Sequence, residues 1–189
     1  MNYLCHIEYD GTNYSGWAVQ PNKVTIQGKV EEVLRKCFKQ NIKVIGASRT
    51  DAHVHAYDQA FSFKETKAKL APAKLKEVLN RVLPFDIRIT KVKSVQDSFN
   101  ANKKVKSKTY QYLINTDAKS IYAGARYAHY VWNVYDKLDF SLMRKAAKLF
   151  IGKHNFLSFS KSELNNTVRV INDISLKLDK KLLKIDING

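Results

Sequence analysis

The sequence predicts an α+β protein: one split β-α-β unit, ferredoxin-like in element order, followed by a second unit that is incomplete. Three observations lead to this. Apolar and β-branched residues at period two mark strands over 3–9, 42–45, 54–63 and 86–95. Apolar residues at helical spacing mark helices after Thr25 and from Pro72. The resulting order is strand, helix, strand, strand, helix, strand, which is the ferredoxin-like split unit. From residue 109 the pattern restarts as strand, helix, strand, strand and then ends. The expected domains are therefore residues 1–102 and residues 103–189, the second lacking a helix and a strand.

The first strand is Tyr3-Leu4-Cys5-His6-Ile7-Glu8-Tyr9, ended by the turn Asp10-Gly11-Thr12-Asn13. Tyr14, Gly16 and Trp17 follow in a loop closed by Pro21-Asn22. Thr25 is the expected N-cap of the first helix, whose apolar face is Ile26, Val30, Val33, Leu34, Cys37 and Phe38. Pro72 suits the first position of the second helix; Leu75, Val78, Leu79, Val82 and Leu83 form its inward stripe and Pro84 stops it. Lys103 to Lys108 link to a strand over 109–114, aromatic at Tyr110 and Tyr112. Residues 121–135 read as a long ordered loop. Asp139 caps a third helix with Met143, Ala146, Ala147, Phe150 and Ile151 inward and Gly152 as its stop. Residues 167–178 and 182–187 read as a hairpin around Asp179-Lys180-Lys181.

The chain of 189 residues is long enough for a substantial core, and 44% apolar residues argue against disorder. Lysine and arginine number 33 against 17 acids, a net charge of +16. Such an excess points to a polyanionic partner, and nucleic acid leads because phosphate contacts dominate its binding. Solvated surface lysine accounts for part of the excess. No run of 18 apolar residues exists, so a membrane partner is not expected. The N-terminus shows no signal peptide. Cys5 and Cys37 sit in apolar patterns and read as core thiols of a reducing compartment.

Between the strands over 42–45 and 54–63 lies the short polar hinge Gly46-Ala47-Ser48-Arg49-Thr50-Asp51-Ala52-His53. By spacing alone it reads as a turn in which Asp51 caps backbone N–H groups and Arg49 is solvated. It is also a place where side chains project from a rigid scaffold. His53 and His55 raise a metal reading, but no cysteine or third histidine stands near enough in sequence to complete a site. Tyr110, likewise, reads by itself as a strand aromatic in the core.

The hinge resembles the signature of the TruA-type tRNA pseudouridine synthases, close to Gly-Arg-Thr-Asp-Ala-Gly-Val-His-Ala; here it stands as Ser48-Arg49-Thr50-Asp51-Ala52-His53-Val54-His55-Ala56. Tyr9-Asp10-Gly11-Thr12, Tyr14, Gly16-Trp17, Leu79-Asn80-Arg81-Val82-Leu83-Pro84 and Asp86-Ile87 are similar to the same family. So are Phe99-Asn100-Ala101, Lys108-Thr109-Tyr110-Gln111-Tyr112, Asn155-Phe156, Ser158-Phe159 and Thr167-Val168-Arg169, so the resemblance spans the chain. It implies the pseudouridine synthase fold, with two ferredoxin-like halves sharing a joined antiparallel sheet around an RNA cleft. It implies a cytoplasmic homodimer acting on the tRNA anticodon stem-loop without metal or cofactor. The implied reaction is isomerisation of uridine to pseudouridine on the 3′ side of that stem-loop, at tRNA positions 38–40.

Carried onto this sequence, the family's essential aspartate is Asp51, its active-site arginine is Arg49, and its base-stacking tyrosine is Tyr110. The residue types suit the chemistry. One carboxylate serves as nucleophile or base, a neighbouring guanidinium favours its charged form, and a flat ring holds a base taken out of its stack. Lys103 to Lys108 with lysines 64, 67, 69, 74 and 76 supply side chains for a phosphate backbone. The sequence also departs from the pattern. Ser48 and His53 replace glycines, and Asn102 stands where arginine is frequent. The family's later segment, similar to Phe-x-x-x-Met-Val-Arg, has no counterpart before Gly189. The expectation is a synthase lacking its C-terminal segment; the alternative is a non-catalytic module that holds tRNA without isomerising it.

Overall fold

A computed structural model describes residues 1–65, 68–160 and 166–189. Lys67, one of the lysines named for a phosphate backbone, lies outside the described residues. The chain divides into two compact units, Met1–Val105 and Lys106–Gly189. The architecture is α+β, with three α-helices among the described residues. No described helix is long and apolar enough to cross a membrane.

In the first unit the elements run β1 (Asn2–Tyr9), α1 (Ile26–Phe38), β2 (Ile45–Gly46), β3 (Ala56–Lys64), α2 (Pro72–Val82) and β4 (Ile87–Val95). The sheet order is β2-β3-β1-β4, every neighbouring pair antiparallel. Alternation along β1 sends Tyr3, Cys5, Ile7 and Tyr9 into the core, where they meet Phe61 and Phe63 of β3 and Ile87 and Ile89 of β4. Ile26, Val30, Val33, Leu34 and Phe38 of α1 and Leu75 and Leu79 of α2 complete that core. Burial holds the Cys5 thiol well above its ordinary range. Thr25 caps α1 by accepting from Gly28 N–H at 3.2 Å, and Leu83, extended before Pro84, ends α2.

Two expectations for this unit change. The strand over 42–45 shrinks to Ile45–Gly46, although Ile42 and Val44 are both buried. The reason is that α1 takes the backbone of Val44: Glu31 Oε1 accepts from its N–H at 3.0 Å and Gln27 Nε2 donates to its carbonyl at 3.2 Å. Nothing remains for a sheet ladder there. Val82, expected inward, is exposed, because Leu83 occupies the end of the α2 stripe.

The second unit contains β5 (Thr109–Asn115), β6 (Trp132–Asn133), α3 (Phe140–Phe150), β7 (Gly152–Asn155), β8 (Val168–Ile171), β9 (Asp173–Asp179) and β10 (Leu182–Asn188). Its main sheet has the order β6-β5-β10-β9, and β7-β8 form a separate hairpin. The region 121–135 is more than a loop, since β6 pairs in parallel with β5. The expected hairpin arm over 167–178 divides at Asn172, whose N–H donates to Asn188 O at 2.7 Å; only β9 pairs with β10. Asp139 caps α3 and Gly152, at φ +109, ends it. Met143, Ala147 and Phe150 are half-buried, whereas Ala146 and Ile151, expected inward, are exposed, and α3 buries no residue fully.

The apolar core thus lies almost wholly in the first unit. In the second, the fully screened apolar residues among those described are Ile114, Val131 and Leu183. Each buried side chain contributes about 1.5–3 kcal/mol, so the difference reaches several kcal/mol. Native-state hydrogen exchange should therefore show amides from Thr109 onward exchanging at least about 100-fold faster than those of β1 and β3. Uniformly slow exchange through both units would contradict this.

Candidate active site

Between β2 and β3, residues 47–55 cross the end of the sheet. Ala47 N–H still reaches Ala60 O at 2.8 Å, and Gln59 on β3 donates through Nε2 to Ser48 O at 2.9 Å. Beyond Ser48 the hinge is held by the loop that follows β1. Trp17 N–H donates to Thr50 O at 3.0 Å and His53 N–H donates to Tyr14 O at 3.2 Å. The Tyr9 hydroxyl lies 2.9 Å from Thr50 Oγ1. The two loops touch backbone to backbone, and two glycines permit it. Gly16 has φ +88, and a Cβ there would lie 2.5 Å from Thr50 O and 3.1 Å from the Asp51 carbonyl carbon. A Cβ on Gly11 would collide with the Val54 carbonyl.

The supporting loop is itself anchored. Tyr14 is buried, and its hydroxyl donates to Asp86 Oδ1 at 2.8 Å. Asp10 N–H donates to Asp86 O at 2.9 Å. Burial pushes the Tyr14 phenol well above its ordinary range, and the hydrogen bond and charge of Asp86 add to the rise. Trp17, 1% exposed, is set into the core beside Tyr9 and Phe61. The hinge therefore rests on a loop fixed to the α2–β4 corner and to the core.

On this support Arg49 and Asp51 are both exposed. The expected guanidinium–carboxylate contact is not formed: among the described residues no ion pair within 4.0 Å joins them. Between them Thr50 is held through its carbonyl by Trp17 N–H and through its hydroxyl by Tyr9. Tyr110 belongs to the second unit, on β5 opposite Ile187. It is 46% exposed and not the core aromatic that its strand position alone suggested.

His53 and His55 precede β3 rather than lying along it. His53 Nδ1 is 2.8 Å from Thr12 O, and His55 Nδ1 is 3.1 Å from both Gly11 N and Asp10 Oδ1. Among the described residues no group of three His, Cys, Asp or Glu is arranged around a metal position. Lysines 103, 104, 106 and 108 are exposed, as is Lys69, whereas Lys64 pairs with Asp97 at 3.0 Å and Lys74 with Glu77 at 3.0 Å. Nothing in the sequence analysis assigns a role to Gln59, Tyr14 or Asp86. A glutamine amid the apolar residues of a buried strand was a readable signal for the first; nothing local announced the Tyr14–Asp86 bond across 72 residues.

Comparison with known proteins adds a second line. A family model described as tRNA pseudouridine synthase matches residues 6–103. The tRNA pseudouridine synthase A of Thermodesulfovibrio yellowstonii is 44% identical over 193 residues, covering 100% of this chain and 74% of that protein. The protein of the same name from Ureaplasma parvum is 41% identical over 191 residues, covering 100% of this chain and 78% of its own length. That of a Thermoanaerobacter species is 37% identical over 190 residues, with 100% and 76% covered.

The close approach at Gly16 yields a direct test of the hinge support. Gly16→Ala forces a side chain into left-handed backbone and against the Thr50 carbonyl. It should lower the free energy of unfolding by about 1–3 kcal/mol, read as a shifted urea midpoint. An unchanged midpoint would mean that the two loops are not packed as described.

Proposed function

This chain belongs to the tRNA pseudouridine synthase family, and from that membership we propose that it isomerises uridine to pseudouridine on the 3′ side of the tRNA anticodon stem-loop, with Asp51 as the essential carboxylate. The observation that carries the proposal is the hinge. An exposed aspartate stands on a turn whose backbone is bonded on one side to the Tyr9–Trp17 stretch and on the other to β3. A side chain presented to a macromolecule, on a backbone held at several points, is the arrangement that positioning for catalysis requires.

The chemistry follows from the substrate. The bond from the sugar C1′ to N1 of uracil breaks, the base turns, and a bond from C1′ to C5 forms; N1 gains a hydrogen and C5 loses one to solvent. The step is redox-neutral and requires no cofactor. Asp51 serves as nucleophile at the sugar or as the base that permits elimination, and both roles need a carboxylate at the rim of the fold. Exposure of Arg49 supports a role in holding the substrate, through phosphate or base oxygen. The ring of Tyr110, exposed on a strand, supports stacking on the extruded base. The +16 charge and the exposed lysines 103, 104, 106 and 108 favour the phosphate backbone of tRNA as partner. In the same reading each unit is a ferredoxin-like half, and the enzyme is a cytoplasmic homodimer.

Asp51→Asn should abolish tritium release from C5-labelled uridine in tRNA while tRNA affinity stays within about threefold of the unmutated chain, since the amide keeps the size and loses the charge chemistry. Retained turnover in the variant would remove Asp51 from the reaction. An unmutated chain that binds tRNA and releases no tritium would instead make it a binding module.

A further inference from the structure

His53 is one of four described residues other than glycine with positive φ, and the only one of them in the hinge. Its φ is +66, in the left-handed region. Histidine takes this backbone less readily than glycine does, and such conformations persist where the surroundings hold them. Two bonds hold this one. The backbone N–H donates to Tyr14 O at 3.2 Å, and ring Nδ1 lies 2.8 Å from Thr12 O. A carbonyl oxygen only accepts, so Nδ1 carries the hydrogen and donates. Val54 N–H closes the turn on Asp51 O at 3.3 Å. The ring thus spans from the turn that carries Asp51 to the loop that supports it, two residues after the carboxylate. Glycine would adopt the same backbone without strain but has no side chain to make the second bond.

We propose that His53 is a positioning residue: its imidazole fastens the left-handed turn to the Thr12 carbonyl and so fixes the direction of the Asp51 side chain. This rests on the reading of Asp51 as the essential carboxylate. The Nδ1–H donor is present in the neutral Nδ1 tautomer and in the imidazolium alike, so the fastening survives protonation of the ring. Its contribution lies in geometry rather than proton transfer.

Two substitutions separate the parts. His53→Gly keeps the backbone conformation and removes the ring bond. His53→Asn keeps both, because asparagine enters the left-handed region readily and its side-chain amide donates to a carbonyl. His53→Gly should lower kcat for isomerisation by about 10- to 100-fold, the scale of a misplaced catalytic group, with KM for tRNA within about twofold. His53→Asn should restore kcat to within about threefold of the unmutated protein. In hydrogen exchange on the free protein, the His53 and Val54 amides should exchange at least about 10-fold faster in His53→Gly and at the unmutated rate in His53→Asn. Exchange needs no turnover, so it judges the fastening even if Asp51→Asn proves active and the catalytic reading fails. Unchanged kcat and unchanged amide protection in His53→Gly would overturn the proposal. A His53→Asn protein that keeps its amide protection but is as slow as His53→Gly would overturn it too, by placing the imidazole in the chemistry itself.

Discussion

The hydrogen bond from Trp17 N–H to Thr50 O, at 3.0 Å, is the contact on which the rest of the site depends. It joins the loop after β1 to the hinge before β3, segments separated by more than thirty residues of chain. It is possible because Gly16 presents no Cβ to the Thr50 carbonyl. Around it gather the Tyr9–Thr50 hydroxyl contact and the bonds from His53 to Tyr14 and Thr12. The result is a polar turn tied at several main-chain groups, with Arg49 and Asp51 exposed on it. A loop tethered only at its ends would not hold a carboxylate in one place.

That contact draws its rigidity from the core beneath it. The loop after β1 is not free to follow the hinge, because Trp17 is sunk beside Tyr9 and Phe61 and the Tyr14 hydroxyl is bonded to Asp86 at 2.8 Å. Burial of the aromatic rings and of the α1 and α2 stripes provides the apolar term. The polar bonds then decide which of many compact arrangements of the hinge is populated, since leaving a buried donor or acceptor unmade costs about 1–3 kcal/mol. Apolar burial makes the unit stable, and the few directional bonds make the site specific.

Much of this was legible in the residue pattern. Period-two and helical spacings located the strands and helices of the first unit, and Thr25 and Pro72 marked the two helix starts as expected. The position of Asp51 and Arg49 on a hinge between strands was legible too. What sequence could not show was mostly backbone bonding between distant segments. The retention of Val44 by α1 rests on Glu31 and Gln27, two polar residues whose partner is main chain and leaves no trace in composition. The anchoring of Thr50, between Arg49 and Asp51, is made by Trp17 and Tyr9 more than thirty residues away. In the second unit β6 is only Trp132–Asn133, too short for any periodicity to announce.

Backbone NMR of the chain titrated with an anticodon stem-loop RNA would show whether RNA meets the hinge. The largest amide shift changes should fall at residues 48–55 and 11–17, with Tyr110 also perturbed. Changes confined to the basic C-terminal end of α1, around Arg35, Lys36 and Lys39, with the hinge unmoved, would contradict it.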